Sequence, residues 1–403
     1  MEFIKGGVTA PKGFKANGVH CGIRKNKSKK DLALIVADDR CVTASVYTTN
    51  LVKGAPIGVT KKNVADGYAQ AIICNSGNAN TCNANGVEIA EQMCLLVEKH
   101  TGIKASDVIV ASTGVIGQPL DITPIENGME ELVAGLGDNS LSANQAIMTT
   151  DTIPKEVALS FKLGGKTCKI GCIAKGSGMI HPNMATMLVF VTTDVNITPE
   201  MLSKAVKNDV KTSFNMVSVD GDTSTNDMLS VMASGKAGNK LIDSENDLYL
   251  EFTTALNKVT TTVCRMIAQD GEGATKLLEC KVKGAKTEED AKIIAKSVIC
   301  SSLLKAAMFG ADANWGRVLC AIGYSKANVD ITKISVAFSS AKGIIKVCLD
   351  GAGLPFDEGT AKTILSEKEI EILIDCYDGD GKAVAWGCDL TYDYVKINGD
   401  YRT

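Results

Sequence analysis

The stretch Lys175-Gly176-Ser177-Gly178-Met179-Ile180-His181-Pro182-Asn183-Met184-Ala185-Thr186-Met187-Leu188-Val189-Phe190-Val191 joins a small, polar, flexible lead-in to an apolar run. Thr186 stands at the switch. A threonine at the head of a buried strand, after a loop able to adopt a strained turn, carries the groups needed for self-cleavage. Its hydroxyl can attack the Ala185 carbonyl, moving the acyl group from nitrogen to oxygen, and water then frees an α-amine on Thr186. That amine, with a reference pKa of about 7.7–8.0, can act as general base for its own hydroxyl and needs no histidine. Threonine is also a common strand residue, so spacing alone favours a structural place for Thr186.

Four other segments could carry chemistry. In Ser112-Thr113-Gly114-Val115-Ile116-Gly117, a hydroxyl and a glycine N–H stand side by side and could donate to one oxyanion. The plain alternative is a glycine-rich turn. Met148-Thr149-Thr150-Asp151-Thr152-Ile153-Pro154-Lys155 reads as a polar loop before a strand. Lys175 and Glu272 form a pair of opposite charges, the second within Asp270-Gly271-Glu272-Gly273, where two glycines allow close backbone approach. Taken singly, each reads as a solvated charge. Ser218 to Asp227 resembles a calcium loop in composition, but counted from Asp220 it has Thr225 at the sixth position and Val231 at the twelfth. A hydrogen-bonded loop near the active site is the better reading.

Composition narrows the classes. Three histidines, His20, His100 and His181, are too few and too scattered for a histidine zinc site or a Ser-His-Asp triad. No metal site is expected. Forty-three Lys and Arg against 46 Asp and Glu leave a charge of −3, without the basic footprint of a nucleic-acid or membrane binder. The 14 cysteines contain no C-x-x-C pair and sit mostly among apolar neighbours, as reduced buried thiols in a cytosolic protein do. Neither a signal peptide nor a membrane span is legible, and the expected compartment is the cytoplasm.

The elements that must position these residues alternate between strand and helix. Ala71–Cys74 and Val108–Ala111 read as buried strands. Val87, Ala90, Cys94 and Val97 fall at helical spacing, with Gly102 as the stop. Thr123-Pro124 and Thr198-Pro199 each read as an N-cap followed by a first-turn proline. A longer helix carries Leu248 to Ile267, and another is expected from about Glu288 towards Leu304. Strand patterns follow at 334–338, 343–347 and 369–374, the last alternating charged and aliphatic residues. The expected class is α+β, a layered α/β sandwich of mixed, largely antiparallel sheets. Composition marks no domain boundary.

The run KGSGMIHPNMATML resembles the autoprocessing segment of the ornithine acetyltransferase family, the glutamate N-acetyltransferases of arginine biosynthesis. The resemblance spans essentially the whole chain, with several motifs in the expected order. It implies the self-processing fold shared with certain aminopeptidases and a cut between Ala185 and Thr186. The products would be an alpha chain, 1–185, and a beta chain, 186–403, assembled as a heterotetramer of two of each. It implies Thr113 and Gly114 as the oxyanion hole, and Thr152, Lys175, Thr186, Glu272, Asn398 and Thr403 as substrate contacts. The adjacent threonines leave the Thr152 register open by a residue or two. His181 stands where the family more often has a small residue, outside the nucleophile. The implied reaction moves acetyl from N2-acetyl-L-ornithine to L-glutamate through an ester on Thr186, without a cofactor; acetyl-CoA is a second donor in some members. The Asp312 to Arg317 motif also matches the family. Two rivals remain: a self-processing aminopeptidase or amidase using water as acceptor, and a glycine-rich binding protein that stays whole.

Overall fold

Residues of the run Ala71–Cys74 alternate between two cores, which explains why no polar residue interrupts it. Ala71 and Ile73 face the helices Gly86–Thr101 and Thr123–Ala134. Ile72 and Cys74 face the opposite way, towards the helix Ser140–Ile147. A strand covered on both faces needs apolar residues at every position. The computed structural model describes residues 1–181 and 187–400. Its first sheet runs, edge to edge, Glu2–Ile4, Lys155–Leu163, Lys166–Lys175, Leu188–Thr193, Met228–Ala233, Leu32–Tyr47, Tyr68–Asn78 and Val108–Val115. Phe14–Val19 also pairs with Leu32–Tyr47.

The second sheet runs Ala352–Gly353, Gly343–Leu349, Ser335–Ser340, Glu369–Asp375, Leu277–Ala285, Gly381–Cys388 and Val217–Ser218. Among the described residues, most pairings in both sheets are antiparallel. The parallel ones join 188–193 to 228–233, 68–78 to 108–115, 277–285 to 369–375, and 381–388 to 217–218. The largely antiparallel α+β sandwich is therefore present. The helix Asp247–Gln269 lies between the sheets and contacts strands of both. Its buried stripe of Phe252, Ala255, Leu256, Val259, Val263 and Ile267 joins their facing residues in one core.

Several local readings hold and others shift. Thr198 caps its helix, accepting the Met201 N–H, and Gly102 ends the 86–101 helix at φ +77. Thr123 is already inside its helix: Ile122 occupies the cap position, without a side-chain bond. Val87 points to solvent, and Ile89 and Met93 take its place in the core. The helix expected from Glu288 to Leu304 is two, Glu288–Cys300 and Ser302–Phe309. Ser301 leaves helical geometry (ψ 107) and its hydroxyl accepts the Leu304 N–H, restarting the helix at a new angle. All 14 cysteines are unpaired, and most are buried, though Cys82 and Cys320 are exposed. No described helix is long and apolar enough to cross a membrane.

The strands 188–193 and 228–233 sit side by side in the middle of the first sheet. Their outer neighbours, 166–175 and 32–47, come from before residue 186. The stretches on either side of the Ala185-Thr186 junction thus share one hydrogen-bonded layer.

Candidate active site

Strands 68–78 and 108–115 run in parallel and lose register at Gly77 and Asn78, opposite Gly114. Gly114 has φ +134, and a Cβ there would lie 2.3 Å from the Gly77 carbonyl carbon. Only glycine permits that approach. Beside it, Thr113 is buried at the strand end. The Asn226 side chain ties this end down, donating to the Ser112 carbonyl at 2.9 Å and the Ala79 carbonyl at 2.5 Å. Its oxygen accepts the hydroxyls of Thr81 and Thr225, both at 2.6 Å. All four contacts bury polar groups with their partners satisfied, which fixes the backbone around Thr113.

Thr113 and Gly114 line a cavity of about 380 Å³ together with Lys175, Glu272 and Asn398. Lys175 ends the strand 166–175, and Glu272 follows the long helix. The Glu272 amide donates to the Ser177 carbonyl at 2.9 Å, which pins the turn against the lead-in. Gly178 allows this packing, since a Cβ there would meet the Glu272 carboxyl at 2.3 Å. Asn398, on the helix Tyr392–Gly399, donates to Glu272 Oε2 at 2.8 Å. Five of the residues named from sequence are thereby brought together from distant parts of the chain.

Thr152 is placed differently. Its amide donates to Asp270 Oδ2 at 3.0 Å and its hydroxyl also bonds Asp270. It lines a neighbouring cleft with Gly273 and Lys396, while Thr149 and Thr150 line the first cavity. Ala185, Thr186 and Thr403 lie outside the described residues.

Buried charge surrounds the cavity. Lys155 has no exposed side-chain surface and bridges Asp151 and Asp270. Burial pushes the Asp151 carboxyl up, but the Lys175 and Lys155 charges and the Gly176 N–H outweigh it and hold it at about 2. Asp227 goes the other way: burial raises it well above the usual carboxylate range, against a Ser224 hydrogen bond and the Lys175 charge. Its Oδ2 has no partner among the described residues. His181 meets Ser218 Oγ at 3.1 Å, and burial, then the Lys296 charge, lowers it to about 4. It is neutral at physiological pH.

The loop from Ser218 to Asp227 is a docking loop. Asp220 accepts the N–H groups of Met179 at 2.6 Å and Ile180 at 2.9 Å, holding the lead-in in place. No group of metal-binding side chains occurs among the described residues. The Asp312 to Arg317 motif caps a helix, with Asn314 accepting the Arg317 N–H at 3.1 Å. Lys155, Asn226 and Asp227 lie in segments the sequence singles out, Asn226 and Asp227 in the loop expected near the active site, but residue type and spacing assign none of the three a role of its own. The signal available was a chargeable or amide residue at the head of an apolar strand or just before it, too common to assign a role.

Compared with known proteins, residues 15–403 match the sequence pattern of the ArgJ family. The chain is 51% identical over 392 residues to "Arginine biosynthesis bifunctional protein ArgJ 1" of Clostridium acetobutylicum, covering 97% of this chain and 96% of that protein. It is 50% identical over 405 residues to "Arginine biosynthesis bifunctional protein ArgJ" of Caldanaerobacter subterraneus subsp. tengcongensis, covering all of both. The crystal structure of arginine biosynthesis bifunctional protein argJ from Bacillus halodurans superposes with a TM-score of 0.50 at 43% identity. That match covers 53% of this chain and 98% of the solved one.

Proposed function

The chain belongs to the ArgJ family, and from that premise we propose the reaction its cavity performs. It is an acetyltransferase of arginine biosynthesis, a glutamate N-acetyltransferase that takes acetyl from N2-acetyl-L-ornithine and gives it to L-glutamate. The Thr186 hydroxyl attacks the acetyl carbonyl, its proton passing to the Thr186 α-amine. The oxyanion collects the Thr113 hydroxyl and the Gly114 N–H. Collapse expels the ornithine amine, which takes the proton, and leaves an acetyl ester on Thr186. The glutamate amine then attacks that ester by the reverse path, releasing N-acetylglutamate.

The observation that carries this reading is the cavity itself, where Lys175 and Glu272 stand with Thr113 and Gly114. A cation and a carboxylate suit the two charged ends of an amino acid, with Lys175 on the carboxylate and Glu272 on the ammonium. Asn398 orients Glu272, Thr149 and Thr150 share the wall, and Thr152 and Thr403 remain proposed contacts from the resemblance.

The nucleophile arises by cleavage between Ala185 and Thr186, giving 1–185 and 186–403, two of each per assembly. The half-length Bacillus halodurans match supports the cut, because residues 186–403 are just over half of the chain. Acetyl-CoA is proposed as a second donor, with the word "bifunctional" in the relatives' names as its support. No cofactor takes part, and the cytoplasm is the proposed compartment.

Purified enzyme incubated with N2-acetylornithine, with and without glutamate, tests the reaction. Ornithine and N-acetylglutamate should form in equal amounts, and turnover should need both substrates. Steady ornithine release without glutamate would assign the site to a hydrolase.

A further inference from the structure

Lys155 opens the strand 155–163 directly opposite Ala174, and its ammonium is fully buried. It donates to Asp151 Oδ1 at 2.7 Å and to Asp270 Oδ2 at 2.5 Å, with the Ile153 carbonyl at 3.5 Å. Acetyl transfer as derived above makes no use of this lysine. Yet each carboxylate it holds organises a wall of the cavity. Asp151 accepts the N–H of Thr149 at 2.9 Å and that of Gly176, next to Lys175, at 2.7 Å. Asp270 accepts the Thr152 amide and hydroxyl and lies two residues before Glu272. Three segments far apart in sequence, 149–153, 175–176 and 270–272, are therefore tied to one ammonium.

We propose that Lys155 is a positioning residue of the transferase, fixing the placement of the Lys175 cation relative to the Glu272 carboxylate and so the grip on the amino-acid substrate. The proposal rests on the amino-acid pocket described above. Without the Lys155 charge, Asp151 and Asp270 are left as buried carboxylates, and Lys175 is the remaining cation that acts on Asp151. Lys175 then turns from the cavity towards Asp151, while the turn bearing Glu272 loosens. Both changes weaken contacts made to substrate in ground state and transition state alike, which raises KM and spares kcat.

Two variants test this on processed, soluble enzyme, with active sites counted by the burst of ornithine released from acetylornithine alone. Lys155→Met removes the hub but strands two carboxylates and risks misfolding. Asp270→Asn still offers one oxygen to the Thr152 amide and removes the Asp270 charge from Lys155, so it serves as the second variant if the first does not fold. KM for acetylornithine and for glutamate should rise about tenfold, with kcat per active site within about threefold of wild type. Unchanged KM values, with activity falling only as the active-site count falls, would overturn the proposal by reducing Lys155 to a structural role. Absence of transfer in the wild-type enzyme would overturn the functional reading instead.

Discussion

Replacing Gly114 by alanine puts a methyl group 2.3 Å from the Gly77 carbonyl carbon, 2.5 Å from the Asn78 nitrogen and 2.6 Å from the Gly77 oxygen. Carbon atoms in contact prefer about 3.5–4.0 Å, so the neighbour must retreat by more than about 1 Å. All three atoms are backbone in a paired strand and cannot rotate aside as a side chain would. An alanine at φ +134 adds about 1–3 kcal/mol of conformational strain, and the overpacking about another 1–3 kcal/mol. The sum, about 2–6 kcal/mol, is a large share of a typical stability of about 5–15 kcal/mol, and the fold should survive weakened. The cheapest relaxation splays the ends of strands 68–78 and 108–115, carrying the Gly114 N–H away from the proposed oxyanion position. Loss of one such donor lowers kcat by about 100- to 1,000-fold. Self-cleavage should slow as well, because it passes through an oxyanion of the same kind. Gly117→Ala is the control: its φ is +77, but no atom lies within 4 Å of a new Cβ, so only about 1 kcal/mol of strain is added. The assays are the urea midpoint, the time course of fragment appearance and steady-state transfer. A Gly114→Ala enzyme that cuts itself and transfers acetyl within about threefold of wild type would refute both the packing argument and the oxyanion role.

Thr186→Ala should run as a single intact chain on a denaturing gel, whereas wild type should give 1–185 and 186–403; two clean fragments from the variant would point to an outside protease. Initial-rate plots with both substrates should give parallel lines, and acetylornithine alone should leave an acetyl group on the 186–403 fragment; intersecting lines with no adduct would favour direct transfer. His181→Ala should keep most activity and leave the acid limb of kcat/KM in place, because a neutral imidazole at about 4 cannot account for a limb set by an amine of about 7.7–8.0. Loss of that limb in the variant would hand the proton to the imidazole. Asp151 is lowered in the folded protein, so its ion pairs stabilise above the unfolded pKa of about 3.9 and fade as pH falls towards about 2. The stability gap between wild type and Asp151→Asn should therefore shrink between about pH 4 and pH 2, and a gap constant across that window would contradict the assignment.

Local order was legible where one residue type decides it. The apolar runs at 71–74 and 108–111 announced buried strands, and Thr198 announced its own cap. The break at Ser301 was not legible, because apolar spacing continues across it and neither glycine nor proline marks the turn. Resemblance named five residues of the cavity, but it could not decide between Thr149, Thr150 and Thr152. That choice depends on Asp270, which is 118 residues from Thr152 in sequence. Asn226 and Lys155 act across 114 and 115 residues respectively, through bonds that leave no periodic trace in the chain.

The interleaved first sheet changes what kind of equilibrium unfolding is. While the chain is whole, folding is a first-order event and its midpoint does not depend on dilution. Once cut at Ala185-Thr186, the strands 188–193 and 228–233 belong to one polypeptide and their flanking partners, 166–175 and 32–47, to another. Neither polypeptide can complete the sheet alone, so losing the fold also releases a second molecule into solution. Mass action then enters: the melting temperature of the cut enzyme should climb with protein concentration, while that of the uncut Thr186→Ala chain should not, within one assembly state. The proposed cut would exchange an intramolecular constraint for an intermolecular one, and dilution should then loosen the cut enzyme more than the uncut chain.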